Sequence, residues 1–119
     1  MRYVCLVYFD PKVAFNGSPE SNAILGEAGA ERQRNLDSGI PAEALTLPNE
    51  AVTIRIRDGK LSRTDGPFME TKEVLGGFVL IDADGIDEAV KIAATNPMAK
   101  LGSVEVRPLV DFSKPRPVL

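Results

Sequence analysis

Residues 3–9 read YVCLVYF. An unbroken apolar run, rich in aromatic and β-branched side chains and stopped by Asp10-Pro11, describes a strand buried on both faces. It is far shorter than the ~20 residues of a bilayer span. Nor does it continue into the small residues of a cleavage site, so it reads as the first strand of a cytoplasmic protein. A second stretch of the same kind, LGGFVLIDA, lies at 75–83. Both faces of a sheet built on these two strands need cover.

The remaining elements fall around them. Ser18-Pro19-Glu20 has the form of an N-cap with proline at the first helical position, and Gly39 stops a helix that runs to about Ser38. Ile24, Leu25, Ala28 and Leu36 give that helix only a thin apolar stripe, weakened by Gly26 and Gly29. In AVTIRIRDGKLSRT (51–64), Val52, Ile54 and Ile56 alternate with Thr53, Arg55 and Arg57, and Asp58-Gly59 supplies a tight hairpin turn. Asp84 is placed to cap a second helix with Ile86, Ala89, Val90 and Ala93 at helical spacing, ended by Asn96-Pro97. SVEVRPLV (103–110) is a last strand whose Pro108 belongs at a sheet edge.

The order is strand, helix, two strands, a fourth strand, helix, strand, with a short extended piece at 40–47. An antiparallel sheet with two helices on one face satisfies it, which is an α+β ferredoxin-like sandwich. One domain spans residues 1–112, and residues 113–119, with two prolines and no periodicity, form an extended tail. If both helices cover one face, the other needs a partner, and a homodimer is the simplest cover.

Composition narrows the chemistry. The chain has 119 residues, 44% hydrophobic and 26% charged, with a formal charge of −3, which gives no reason to expect nucleic acid. There is no histidine, so Ser-His-Asp and Cys-His catalysis and histidine-bearing zinc sites are excluded within the chain. The single cysteine, Cys5, sits inside the first strand and reads as a small buried hydrophobe. Acid–base work would fall to Asp, Glu, Lys, Tyr or Cys. No metal is expected, and no cofactor.

One stretch exceeds structural need. Residues 64–73 read TDGPFMETKE. Asp-Gly-Pro is turn chemistry, and the charges that follow read equally as a solvated run. Yet a turn requires Gly66 and Pro67, not Asp65, Glu70 and Lys72 as well.

TDGPFMETKEVLGGFVLIDAD resembles the signature of the DGPF branch of the YCII-related proteins, and YVCLVYFD, TIRIRDGK and GSVEVRPLV extend the likeness over residues 1–112. The resemblance implies a ferredoxin-like fold, dimerisation into an α/β barrel and a small-molecule cleft. In the wider family, catalysis is attributed to a His and to an Asp of an Asp-Pro dipeptide. This chain has no His, and Asn96-Pro97 stands where that dipeptide would fall, so neither residue carries over.

Two readings follow. In the first, the protein is an acid–base enzyme acting by proton transfer or elimination on a small anionic metabolite. Asp65 or Glu70 would be the base, desolvated beside Phe68, while Lys72 and Arg57, with Arg55, hold the anion. In the second it is a dimeric module that binds a small ligand without turnover. Tyr8 reads as a core ring more readily than as a cavity hydroxyl.

Overall fold

The computed structural model describes all 119 residues. The chain runs through β1 (Arg2–Phe9), a short helix α1 (Pro11–Ala14), the long helix α2 (Pro19–Asp37), β2 (Ala42–Ala44), β3 (Val52–Arg57), β4 (Lys60–Asp65), β5 (Val74–Asp82), α3 (Ile86–Ala93) and β6 (Gly102–Pro108), with 3₁₀ turns at Pro48–Glu50 and Pro97–Lys100.

Four strands form one sheet in the order β2-β5-β1-β6, every neighbouring pair antiparallel. β1 and β2 are therefore parallel to one another with β5 between them, and α2 is the crossover that joins them. This is the ferredoxin-like topology. The extended piece expected at 40–47 supplies its second strand. The hairpin β3–β4 does not join the sheet, a correction to the strand order read from the sequence; it forms a separate two-stranded ribbon.

Local chemistry accounts for the ends of most elements. The Ser21 amide donates to Ser18 Oγ at 3.1 Å, with Pro19 at the first helical position of α2 as expected. α1, which the sequence reading missed, is a single turn on which the Lys12 amide donates to Asp10 Oδ1 at 2.9 Å. Asp84 does not cap α3. Gly85 occupies the cap position without a side-chain bond, and Asp87 and Glu88 meet the positive end of the helix instead. α3 ends at Ala93, before Asn96-Pro97. Asn96 starts the next 3₁₀ turn, accepting from the Met98 amide at 2.9 Å.

The core lies on one side of the sheet. Tyr3 and Cys5 of β1 pack with Ile81, Ala83 and the alanines Ala89 and Ala93 of α3. Val7 and Phe9 pack with Ala14 and Met98, flanked by Ile24, Leu25 and Ala28 of α2. Alanines four residues apart on α3 pack in one cluster with the Tyr3 and Cys5 side chains as the helix lies against β6, while Ile86 and Val90 of the expected stripe stay about half exposed. Alternation along β1 is strict: Tyr3, Cys5, Val7 and Phe9 are buried, whereas Val4, Leu6 and Tyr8 are only half-buried. The strand is apolar on both faces, but a single chain covers one of them.

That shortfall is measurable. The chain exposes 8746 Å², against about 6,300 Å² for a compact chain of its 12.8 kDa. Its radius of gyration is 16.6 Å, against about 13.5 Å for a compact domain of this length. The projecting hairpin, where Val52, Ile54, Ile56 and Leu61 are 48–66% exposed, and the extended C-terminal segment both contribute to the difference.

Two outcomes test this account of the fold. Ser18→Ala removes the α2 cap and should lower unfolding free energy by about 1 kcal/mol in urea titrations. Gly102→Ala should cost about 3 kcal/mol, because a Cβ there runs into the backbone carbonyl of Tyr8, which cannot move without parting β1 from β6.

Candidate functional site

The segment singled out in the sequence begins at the foot of the hairpin. Asp58 and Gly59 turn its tip with positive φ of 52° and 75°, the geometry that matches the twist of two paired strands. At the foot, the Gly66 amide donates to the Ala51 carbonyl at 2.7 Å and Thr53 Oγ1 donates to the Gly66 carbonyl at 2.9 Å. Gly66 has φ 104°, which a side chain would oppose. These bonds set the direction in which Pro67 and Phe68 leave the ribbon.

Register sorts the side chains into two faces. Val52, Ile54 and Ile56 lie opposite Asp65, Arg63 and Leu61, so Asp65 shares the apolar face with Arg63, whose Nε is 3.9 Å from Asp65 Oδ1. Thr53, Arg55 and Arg57 lie opposite Thr64, Ser62 and Lys60 on the other face. Phe68 belongs with that second set, since the Arg55 guanidinium lies 6.0 Å from its ring centroid. Arg57 and Phe68 thus fall together with Arg55, and Asp65 does not join them. Glu70 and Lys72 follow on exposed backbone and make no hydrogen bond or ion pair within the chain. With Asp65 89% exposed in its side chain and Phe68 70% exposed, nothing within one chain desolvates this carboxylate.

The uncovered face of the sheet is the second part of the site. Register places Val4, Leu6 and Tyr8 of β1 beside Leu80, Phe78 and Leu75 of β5, and beside Arg107, Glu105 and Ser103 of β6. An apolar centre is bordered along β6 by polar side chains. Tyr8 is here and not in the core, because it is the even-numbered partner of a strand whose odd residues meet the helices. The DGPF segment re-enters the sheet at one end of this face, where Ser103 Oγ donates to Glu73 Oε2 at 3.5 Å. Thr71 Oγ1 in turn donates to the Glu73 carbonyl. Sequence reading passed over Ser103, Glu105 and Arg107. The signal was there in the alternation of β6, but only its register with β1 shows which face they occupy.

Arg55 beside the exposed Phe68 ring, with Arg57 on the same face of the ribbon donating to the Ile56 carbonyl at 3.0 Å, can bind a carboxylate or a phosphate by hydrogen bonds and stacking. No three His, Cys, Asp or Glu side chains converge on a position that could hold a metal ion. Burial pushes the Cys5 thiol up, and with 2% exposure it is a core side chain and not a nucleophile. No helix is long and apolar enough to cross a membrane.

Comparison with known proteins identifies the family. Residues 1–113 match the family model described as the YCII-related domain. An uncharacterised protein of Rhizobium meliloti (strain 1021) is 37% identical over 114 residues, covering 92% of each chain. A match over almost the whole length shows the family: the chain belongs to the YCII-related proteins.

Proposed function

We propose that the protein is a small-ligand-binding homodimer in which the hairpin of each copy helps to cover the open sheet face of the other. The observation that supports this is the uncovered apolar surface. The chain exposes some 2,500 Å² more than a compact chain of its size, to which the hairpin and the extended C-terminal segment both contribute, and the apolar face of the hairpin is the part that an interface would bury. Burying what remains exposed of the four apolar side chains of the hairpin would contribute about 1 kcal/mol apiece. An isolated two-stranded ribbon is marginal in water, so the hairpin has its own need of such a contact. Two sheets facing each other in this way would make the dimeric α/β barrel.

The ligand on this reading is a small anion. Arg55, Arg57 and Lys60 share the face of the hairpin that bears Phe68, and Lys72 lies four residues further along the chain. Asp65 lies on the face that assembly would bury, beside Arg63, and serves there as one half of an ion pair. Binding without turnover is therefore favoured over acid–base catalysis, since Asp65 lies on the other face of the ribbon and Glu70 is exposed and unpaired within one chain.

Light scattering after gel filtration should give about twice 12.8 kDa for the wild-type chain, and Ile54→Asp should shift it to the monomer. A monomeric wild type at micromolar concentration would overturn the reading. In a calorimetric screen of small carboxylates and phosphate esters, Arg57→Met and Lys72→Met should weaken binding about tenfold while unfolding free energy changes by no more than about 0.5 kcal/mol. Turnover of any screened anion that is abolished by Asp65→Asn or Glu70→Gln would instead establish the acid–base enzyme.

A further inference from the structure

On the helix side of the sheet, α2 does not close down on the strands beneath it. Ser21 is the one fully buried residue of this helix, and positions 28–30 read Ala-Gly-Ala. Beneath it, β5 carries Gly76 and Gly77, which extend no side chain to meet it. Close packing is normal for a protein interior, yet a pocket of about 290 Å³, partly open to solvent, remains between α2 and these strands. Its volume corresponds to about ten water molecules in the liquid, room for one aromatic ring with a short chain.

The walls have a definite character. Phe9 and Phe15 meet edge to face, with centroids 5.6 Å apart and planes at 88°, and Val7, Leu25 and Met98 extend the apolar lining. Charge is confined to Glu31, Arg32 and Glu43. Arg32 is already committed, donating to Glu43 Oε2 at 2.8 Å. Glu31 is not. Its nearest partner, the Thr95 hydroxyl, stands 3.4 Å away and directs its one proton to the Ile92 carbonyl at 2.7 Å. Burial pushes the Glu31 carboxyl up from its ordinary range, against weaker pulls from Thr95 and from Arg34, which is exposed and does not line the cavity.

We infer that this cavity is a second ligand site, complete within one chain, for a small amphipathic amine whose apolar body lies beneath α2 and whose ammonium head meets Glu31. Charge decides the sign of the head. Two carboxylates and one paired guanidinium leave an excess negative charge on the lining. An anion would have to displace Glu43 from Arg32 and then lie beside two carboxylates. A cation completes the unpaired one, while the aromatic pair lines the part of the pocket that takes the apolar body. The site is on the opposite face of the sheet from the one assigned to dimerisation, so the two proposals fail separately.

Phenethylamine is a suitable probe and 3-phenylpropionate its anionic counterpart. In ¹H–¹⁵N spectra of the wild-type protein, phenethylamine should shift the amides of Gly29, Gly76 and Gly77 saturably. 3-Phenylpropionate should bind at least tenfold more weakly. Glu31→Gln, which keeps the shape and removes the charge, should weaken the amine about tenfold. Gly29→Leu should abolish binding with an unchanged or raised melting temperature. A Cβ at Gly29 meets nothing within 4 Å, and leucine is the better helix former. Absence of any shift at the cavity amides, equal affinity for amine and acid, or wild-type affinity in both variants would overturn the assignment.

Discussion

β1 is hydrogen-bonded along both edges, to β5 on one side and β6 on the other, and everything else in the molecule is laid out from that double pairing. Because side chains alternate along a strand, the two ladders divide the chain's apolar residues between two faces. Tyr3, Cys5, Val7 and Phe9 receive the helices, while Val4, Leu6 and Tyr8 receive nothing from the same chain. Helices cannot cover both faces. In this topology the crossover α2 and the helix α3 return on the same side, so the second face is exposed as a consequence of connectivity and not of composition.

The hairpin shows a related separation. Its strands segregate Val52, Ile54, Ile56 and Leu61 from Arg55, Arg57 and Lys60 across a ribbon one layer thick. Such a ribbon gains stability only when its apolar face meets another surface. Its cationic face then stays in contact with solvent or a ligand. The foot of the ribbon, closed by Thr53 and Gly66, is what gives the following Phe68 a fixed relation to Arg55.

α2 behaves differently from α3 for a reason visible in its side chains. α3 presents Ala89 and Ala93 directly to the bulky Tyr3 and to Ile81, so small residues meet large ones and the layer closes. α2 presents small residues toward a stretch of β5 where Gly76 and Gly77 bring no side chain, and the layer between them stays open. Phe9 partly compensates. Its ring occupies the space that a Cβ at Gly76 would need, at the point where the register of β1 against β5 slips by one residue.

Much of the architecture was legible in local patterns. The apolar runs at 3–9 and 75–83, the Ser18-Pro19 helix start, the Asp58-Gly59 turn and Pro108 at the sheet edge each depend on residues within a few positions of one another, and the structure has these elements in place, although one chain buries only one face of the two apolar strands. What local pattern could not supply is which surfaces meet. The hairpin at 52–65 carries as good a strand pattern as any in the chain, but edge pairing in the sheet went to the three residues Ala42–Ala44, which the crossover α2 delivers beside β5. Asp65 and Arg57 are neighbours in the motif and opposites in space, because strand register assigns them to different faces. Glu31, unremarkable in a helix of mixed charge, borders a cavity only because two glycines 45 and 46 residues later arrive beneath its helix. Sequence determined the elements, since their causes are short-range; tertiary structure decided the sites, since a face or a cavity exists only once distant segments have packed.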